Sequence, residues 1–295
     1  MIRILLCLTV CSAALAQDMP LSQVLLDDEP WTLVAEGLQF TEAPAVDSDG
    51  RLYYSDVPSG RIFRLNADNE PELFARNNGQ ASGLMFGSDG LLYACHYQTK
   101  IVAAYDQDGD FTEIAALPSV NDLVVAKNGQ IYVTDPASKS VWLVDSRGKN
   151  KPRKVAEGFR PNGVILWQDE STLVVTDGDA PVLRTFRVER DGALKFGESY
   201  YSPLQTPFGE RTPKSDGMTV DDQHRLYVAT SVGVQMFDPT GRLGGTIRPP
   251  QNAFLSNVVF GGPNFRTLYA TSADKVFARQ VKPTGKPSIV RHVSK

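Results

Sequence analysis

The sequence predicts an all-β fold, a six-bladed β-propeller with four antiparallel strands per blade. Three observations predict it: a pattern that recurs six times, a tight-turn signal inside most of the recurrences, and no sustained helical periodicity.

The recurrence is carried by residues 45–56 (AVDSDGRLYYSD), 85–96 (MFGSDGLLYACH), 124–135 (VVAKNGQIYVTD), 165–177 (ILWQDESTLVVTD), 219–230 (TVDDQHRLYVAT) and 259–271 (VFGGPNFRTLYAT). Each holds a short apolar strand, a polar turn and a second strand rich in Leu, Tyr and Val. The second strands are marked by Tyr53, Tyr93, Tyr132, Val174, Tyr227 and Tyr269, at intervals of 40, 39, 42, 53 and 42 residues. Asp49-Gly50, Asp89-Gly90 and Asn128-Gly129 suit the positive φ angles of a two-residue hairpin. Third strands follow at 60–65, 140–145, 233–238 and 275–280, and weaker fourth strands at 71–75, 152–158 and 244–249. Strands of a sandwich would lack this recurrence.

Residues 31–37 (WTLVAEG) resemble 154–158 (KVAEG), an outer strand. They are expected to pair with the last blade and close the ring, which protects the sheet edges. The C-terminal strand of that blade is expected to include Ser288 to His292. The propeller then spans residues 31–295, preceded by a loose lead-in at 17–30.

Residues 1–16 read as a secretory signal peptide. Arg3 supplies a positive charge, Ile4 to Ala14 is apolar or small apart from Thr9 and Ser12, and Ala14-Leu15-Ala16 is a small-x-small cleavage site. The apolar run is shorter than the roughly 20 residues that cross a bilayer, so no membrane span is expected. Val10 before Cys11 makes a poor lipidation signal. The expected destination is the periplasm or the exterior. Cleavage removes Cys7 and Cys11 and leaves Cys95 alone, so no internal disulfide forms and the core must hold the fold. The chain carries 30 basic and 34 acidic residues; losing Arg3 leaves 29 basic and a net charge of −5. No basic run supports nucleic-acid binding. A monomer acting on a small molecule is the expected state.

A fixed register appears upstream of the markers. Eleven residues before the tyrosine stand Glu42, Ser82, Asn121 and Asp216; twelve before, in the two repeats with an insertion, stand Asn162 and Asn257. All six are polar, and all lie where the chain enters the innermost strand of a blade, so the ring aims them at the central channel. Asn162-Gly163 and Asp216-Gly217 also suit ordinary turns. Glu42 has no turn preference yet keeps the register, and the turns are already supplied downstream. Two carboxylates with Asn carbonyls suit one hard divalent cation, calcium first, then magnesium or manganese. Zinc is not excluded, although no His/Cys cluster favours it.

At these residues the chain resembles the senescence marker protein-30/gluconolactonase/luciferin-regenerating-enzyme family in its bacterial branch. The resemblance runs from about Trp31 to Pro283. It is carried by residues 121–125 (NDLVV), 132–136 (YVTDP), 161–166 (PNGVIL), 215–218 (SDGM), 226–230 (LYVAT), 233–239 (GVQMFDP) and 257–262 (NVVFGG). It implies a divalent-metal lactonase in which Glu42, Asn162 and Asp216 hold the metal. Asn121 completes the site, directly or through substrate or water, and Asp216 is the general base. In animal members an arginine two residues before the asparagine matching Asn121 contacts the substrate. Ser119 stands there in this chain, so the identity of the substrate is not carried over. Arg160 and Arg211 are candidates to compensate.

His96 ends a second strand and is a candidate substrate contact, although a lone histidine is more often structural. Asp135 and Asp177 end equivalent strands and either orient ligands or cap turns. Cys95 reads as packing. The long fourth interval places excess residues at 198–211, either a wall of the substrate pocket or a surface loop. The expected function is thus exported, metal-dependent opening of a lactone, with a sugar lactone preferred. The alternatives are a non-catalytic glycan- or protein-binding propeller and a hydrolase of aryl esters or phosphoesters.

Overall fold

The computed structural model describes residues 21–76 and 79–285. The expected signal peptide at residues 1–16 and the expected strand at Ser288 to His292 lie outside the described residues. Before the first blade stands β1 (Thr32–Ala35). Blade 1 is β2 (Thr41–Val46), β3 (Leu52–Asp56), β4 (Arg61–Leu65) and β5 (Pro71–Arg76); blade 2 is β6 (Ala81–Phe86), β7 (Leu92–His96), β8 (Ile101–Tyr105) and β9 (Phe111–Ala116). Blade 3 is β10 (Leu123–Val125), β11 (Gln130–Asp135), β12 (Ser140–Asp145) and β13 (Arg153–Glu157). Blade 4 is β14 (Pro161–Leu166), β15 (Thr172–Asp177), β16 (Leu183–Val188) and β17 (Leu194–Ser199). Blade 5 is β18 (Met218–Val220), β19 (Leu226–Thr230), β20 (Gly233–Phe237) and β21 (Leu243–Ile247). Blade 6 is β22 (Leu255–Gly261), β23 (Thr267–Ser272) and β24 (Lys275–Gln280), and β1 supplies its outer strand.

All six sheets are four-stranded and antiparallel, and the ring closes as the sequence predicts, with Thr32 opposite Ala278 and Leu33 opposite Phe277. The lead-in is not loose from Leu21 onward. Leu21–Gln23 forms a single 3-10 turn, Val24 is fully buried in the core that includes Val258 and Phe260, and Leu25 bridges Val281. An apolar Leu-x-x-Val-Leu run carries the burial that the polar residues around it concealed.

The hairpin turns hold three residues rather than two. The Asp47 N–H donates to the Arg51 carbonyl at 3.1 Å, and the Asp47 carboxylate accepts the N–H groups of Asp49 and Arg51 at 2.9 Å. Only the glycine is left-handed, with φ of 84°, 83° and 85° at Gly50, Gly90 and Gly129. This is a type I turn followed by a glycine bulge.

The core lies between blades. Because strand side chains alternate, each middle strand faces both neighbours. In β7, Leu92 and Ala94 pack with Tyr53 and Ile62 of blade 1, while Tyr93 and Cys95 pack with Leu123 and Ile131 of blade 3. Cys95 is a free, buried thiol that fills space. Among the described residues, no helix is long and apolar enough to cross a membrane.

Candidate active site

The innermost strands enter the sheet irregularly where the fixed register falls. Ladder pairing slips between Glu42 and Ala45, between Ala81 and Gly83, between Pro161 and Val164, and between Leu255 and Asn257. Such bulges re-aim side chains and release backbone from the ladder. Asn121 and Asp216 sit just ahead of β10 and β18, held by the Thr134 and Ala229 carbonyls at 2.9 and 3.0 Å.

The glycines beside these residues are not turn glycines, since neither Gly163 nor Gly217 has positive φ. They permit close approach. A Cβ on Gly163 would lie 2.1 Å from the Asp216 carbonyl oxygen, and one on Gly217 would overlap the Asn257 amide at 1.8 Å. Asn-Gly and Asp-Gly therefore mark places where one blade presses on the next.

The six register residues are linked in two runs, Ser82-Asn121-Asn162 and Asp216-Glu42-Asn257. The Ser82 hydroxyl donates to the Asn121 carbonyl at 2.7 Å, the Asn121 Nδ2 donates to Asn162 Oδ1, and the Asn162 Nδ2 donates to the Ser215 carbonyl at 3.5 Å. The carboxyl groups of Asp216 and Glu42 lie within hydrogen-bonding reach of each other. Asn257 Nδ2 donates to Glu42 Oε2 at 3.4 Å. Glu42, Asn121, Asn162 and Asp216 are thus brought together from four blades.

A third carboxylate, which the register does not select, belongs to the same cluster. Asp122 follows Asn121; its Oδ1 accepts the Leu123 N–H at 2.8 Å and its Oδ2 the Val164 N–H of blade 4 at 3.2 Å. It lines a cavity of about 110 Å³ along the inner strands, together with Met85, Val164 and Met218. Burial pushes Glu42 from 4.5 up to about 8, aided by the charge of Asp122. Burial pushes Asp122 from 3.8 up to about 7. Burial, then the charges of Glu42 and Asp122, drives Asp216 well above the usual carboxylate range. Three buried carboxyls without a cationic side chain cannot all ionise in isolation.

That donor chemistry fits a cation. Among the described residues no group of three or more His, Cys, Asp or Glu side chains has the geometry to hold a metal. Any fit therefore relies on the Asn oxygens beside Glu42 and Asp216, an all-oxygen set suited to a hard ion.

Other candidates fall elsewhere. His96 does not offer its ring to a ligand. It is 1% exposed, its Nε2 bonds the Tyr105 hydroxyl at 2.8 Å, and Phe111 meets it edge-on at 4.8 Å. Burial lowers its pKa from 6.5 to about 4, so it is neutral. Arg160 and Arg211 are exposed, and neither bonds to the central residues. Asp135 and Asp177 cap strand-end turns. Asp135 accepts the Ser138 N–H at 2.9 Å; Asp177 accepts the Asp179 N–H at 3.0 Å and pairs with Arg184. The stretch at 198–211 divides in two. Tyr201 and Leu204 are buried between blades 4 and 5, whereas Phe208 and Arg211 are exposed.

Residues 40–274 match the model of the SMP-30/Gluconolactonase/LRE-like region, about four-fifths of the chain. The chain belongs to this family. Among relatives of this SMP-30/gluconolactonase-type chain, a gluconolactonase of Zymomonas mobilis is 24% identical, covering 90% of this chain and 85% of its own. A pentonolactonase of Haloferax volcanii is 26% identical over 76% of this chain and 77% of its own. The gluconolactonase structure from Xanthomonas campestris superposes with a TM-score of 0.77 at 25% identity, covering 88% of this chain and 91% of that one. The calcium-binding regucalcin from Agrobacterium tumefaciens superposes at 0.73 with 18% identity over 89% and 98%, a likeness of fold.

Proposed function

We propose that this chain is an exported, divalent-metal-dependent hydrolase that opens a lactone ring, a sugar lactone being the preferred substrate. One observation carries the reading: Glu42, Asn121, Asn162 and Asp216, from four different blades, meet at the axis with the carboxyls of Glu42 and Asp216 in mutual contact. A packing role would not need charged groups left without a cationic partner. The lactonases among the relatives support the choice of substrate.

Glu42, Asn162 and Asp216 would hold the ion, with Asn121 completing the set; calcium suits the oxygen donors best, and zinc, magnesium and manganese are the competitors. A bound divalent ion supplies Lewis acidity toward the ester carbonyl and offsets negative charge there. The chain's own residues supply the rest. Asp216 Oδ takes a proton from the attacking water, and its buried setting raises its basicity toward the working pH. Asn121 and Asn162 fix one another's amide orientation, so their oxygens keep one direction. Asn257 steadies Glu42 in the same way. Asp122 anchors the β14 entry through the Val164 N–H and so holds Asn162 in register with Asn121.

The test is a panel of aldonolactones and simple lactones, assayed after chelation and again with calcium, zinc, magnesium or manganese restored. Turnover that disappears on chelation and returns with one ion supports the reading. A chain that binds metal yet opens no lactone would be a binding propeller instead.

A further inference from the structure

The residues inserted between blades 4 and 5 build a second cavity, well away from the axis. Tyr201 wedges between the blades, its ring 6.4 Å from Trp167 and 5.6 Å from Phe237. Tyr200 meets it edge-on at 5.4 Å and stays 58% exposed. Tyr200 lies against Gly241 of blade 5, where a Cβ would come within 3.1 Å of its ring. Across the cleft Phe196 is 65% exposed and carries the Arg187 guanidinium 4.3 Å from its ring centre. Trp167, Arg187, Phe196, Tyr200 and Tyr201 bound a cavity of about 500 Å³, within the roughly 300–1,000 Å³ usual for small-molecule sites.

The polar groups of this cleft are arranged unlike those of a protein core. Among the described residues, the Trp167 indole N–H and the Tyr200 and Tyr201 hydroxyls have no hydrogen-bond partner, although their rings are packed. The hydroxyls of Ser171 and Thr172, 3.4 Å apart, stand on the rim. Arg187 is already matched by Glu189, at 2.6 and 2.9 Å, so the cleft offers no unpaired charge to an anion. A purely apolar occupant would leave the indole and phenol groups without partners. A pyranose suits both features: its C–H faces stack on aromatic rings, and its hydroxyls meet groups at the ring edges.

We propose that this cleft binds a neutral oligosaccharide, stacked on Trp167 and Tyr200, with the buried Tyr201 forming the floor. Trp167 lies just past the far end of β14, whose entry carries Asn162; five residues of strand separate the two by about 16 Å. Occupancy of the cleft therefore leaves the axial residues free, and the proposal stands whether or not the chain opens lactones.

Isothermal titration calorimetry of the mature chain with maltotriose, cellotriose and xylotriose tests it. At least one should bind with a Kd in the millimolar range or tighter. Tyr200→Ala, at an exposed position, should weaken that binding about tenfold or more without changing lactone turnover. Trp167→Phe, which keeps a ring but removes the N–H, should weaken it by a smaller factor. The proposal is overturned if none of the three sugars binds, or if binding survives both variants. It is equally overturned if sedimentation shows a dimer that Tyr200→Ala converts to a monomer, since the aromatic face then belongs to a second copy.

Discussion

Asp216 and Asp221 stand five residues apart at opposite ends of β18, and both are buried, yet their surroundings are opposite. Asp221 is fully paired. Its carboxylate takes Arg225 Nε at 2.5 Å, the Tyr227 hydroxyl at 2.8 Å and the N–H groups of Gln223 and Arg225 at 2.9 and 3.0 Å. Asp216 faces Glu42 and feels Asp122, all three negative when ionised. One strand thus carries a closed charge at one end and an open one at the other. A satisfied buried carboxylate is a staple, whereas a set of buried like charges with oxygen neighbours is a place prepared for something else.

The largest expected effect lies at the open end. Asp216→Ala should lower lactone turnover by at least about a thousandfold, since it removes the proposed base and a metal donor together. It should leave the thermal midpoint of chelated protein unchanged or higher, because one repelling charge is gone. Steady-state kinetics and calorimetry on the same preparation measure both. Turnover near that of the unaltered chain would end the assignment.

At the closed end the signs reverse. Asp221→Ala leaves Arg225, 1% exposed, without its carboxylate. Removing one partner of such a pair costs about 3–5 kcal/mol of stability. Urea titration should show that loss, while the turnover of the remaining folded protein stays close to normal. If the two variants behaved alike, the contrast between the ends would be void.

The pH response sharpens the contrast further. Glu42 rises from 4.5 to about 8 and Asp122 from 3.8 to about 7 in the folded, metal-free chain, so both hold protons more tightly folded than unfolded. The folded state is therefore favoured below about pH 4 and loses that advantage as pH rises through the two raised values. The thermal midpoint of chelated protein should fall between about pH 5 and pH 8, with the cluster titrating as a unit. Saturating calcium should raise the midpoint, by about 2.7 kcal/mol of stability at a hundredfold excess over Kd. It should also flatten the slope. A chelated midpoint that does not move over this range would argue that the three carboxyls do not share one environment.

How much of this was legible beforehand follows from period and parity. The blades, the ring closure by residues 32–35 and the convergence of Glu42, Asn121, Asn162 and Asp216 all follow from a repeat that fixes which strand and which end each residue occupies. Asp122 escaped because it stands one position past the register, and its partner, the Val164 N–H, belongs to another blade. His96 was placed at the correct strand end, but the end does not decide the face. Leu92 and Ala94 share its parity and pack toward blade 1, a signal already present in the alternation of β7. The 198–211 excess announced itself by length alone. Nothing local distinguishes Tyr201, buried between blades, from Phe208, which is fully exposed.

The smallest expected effect is at Ser82, the register residue with the least chemistry. Its hydroxyl donates to the Asn121 carbonyl at 2.7 Å and touches neither carboxylate. Ser82→Ala should cost about 1 kcal/mol of stability and lower kcat/KM only a few-fold, through a less firmly held Asn121. Asp122→Asn should act more strongly, about tenfold on kcat/KM. An amide nitrogen turned toward either backbone donor would lose the acceptance that Leu123 N–H and Val164 N–H now share. Because Asp122 acts by positioning, its loss should appear together with a shifted pH profile, whereas Ser82→Ala should leave the profile in place. If both variants shifted the profile equally, Asp122 would be no more than another packing contact, and the open end of β18 would contain two carboxylates rather than three.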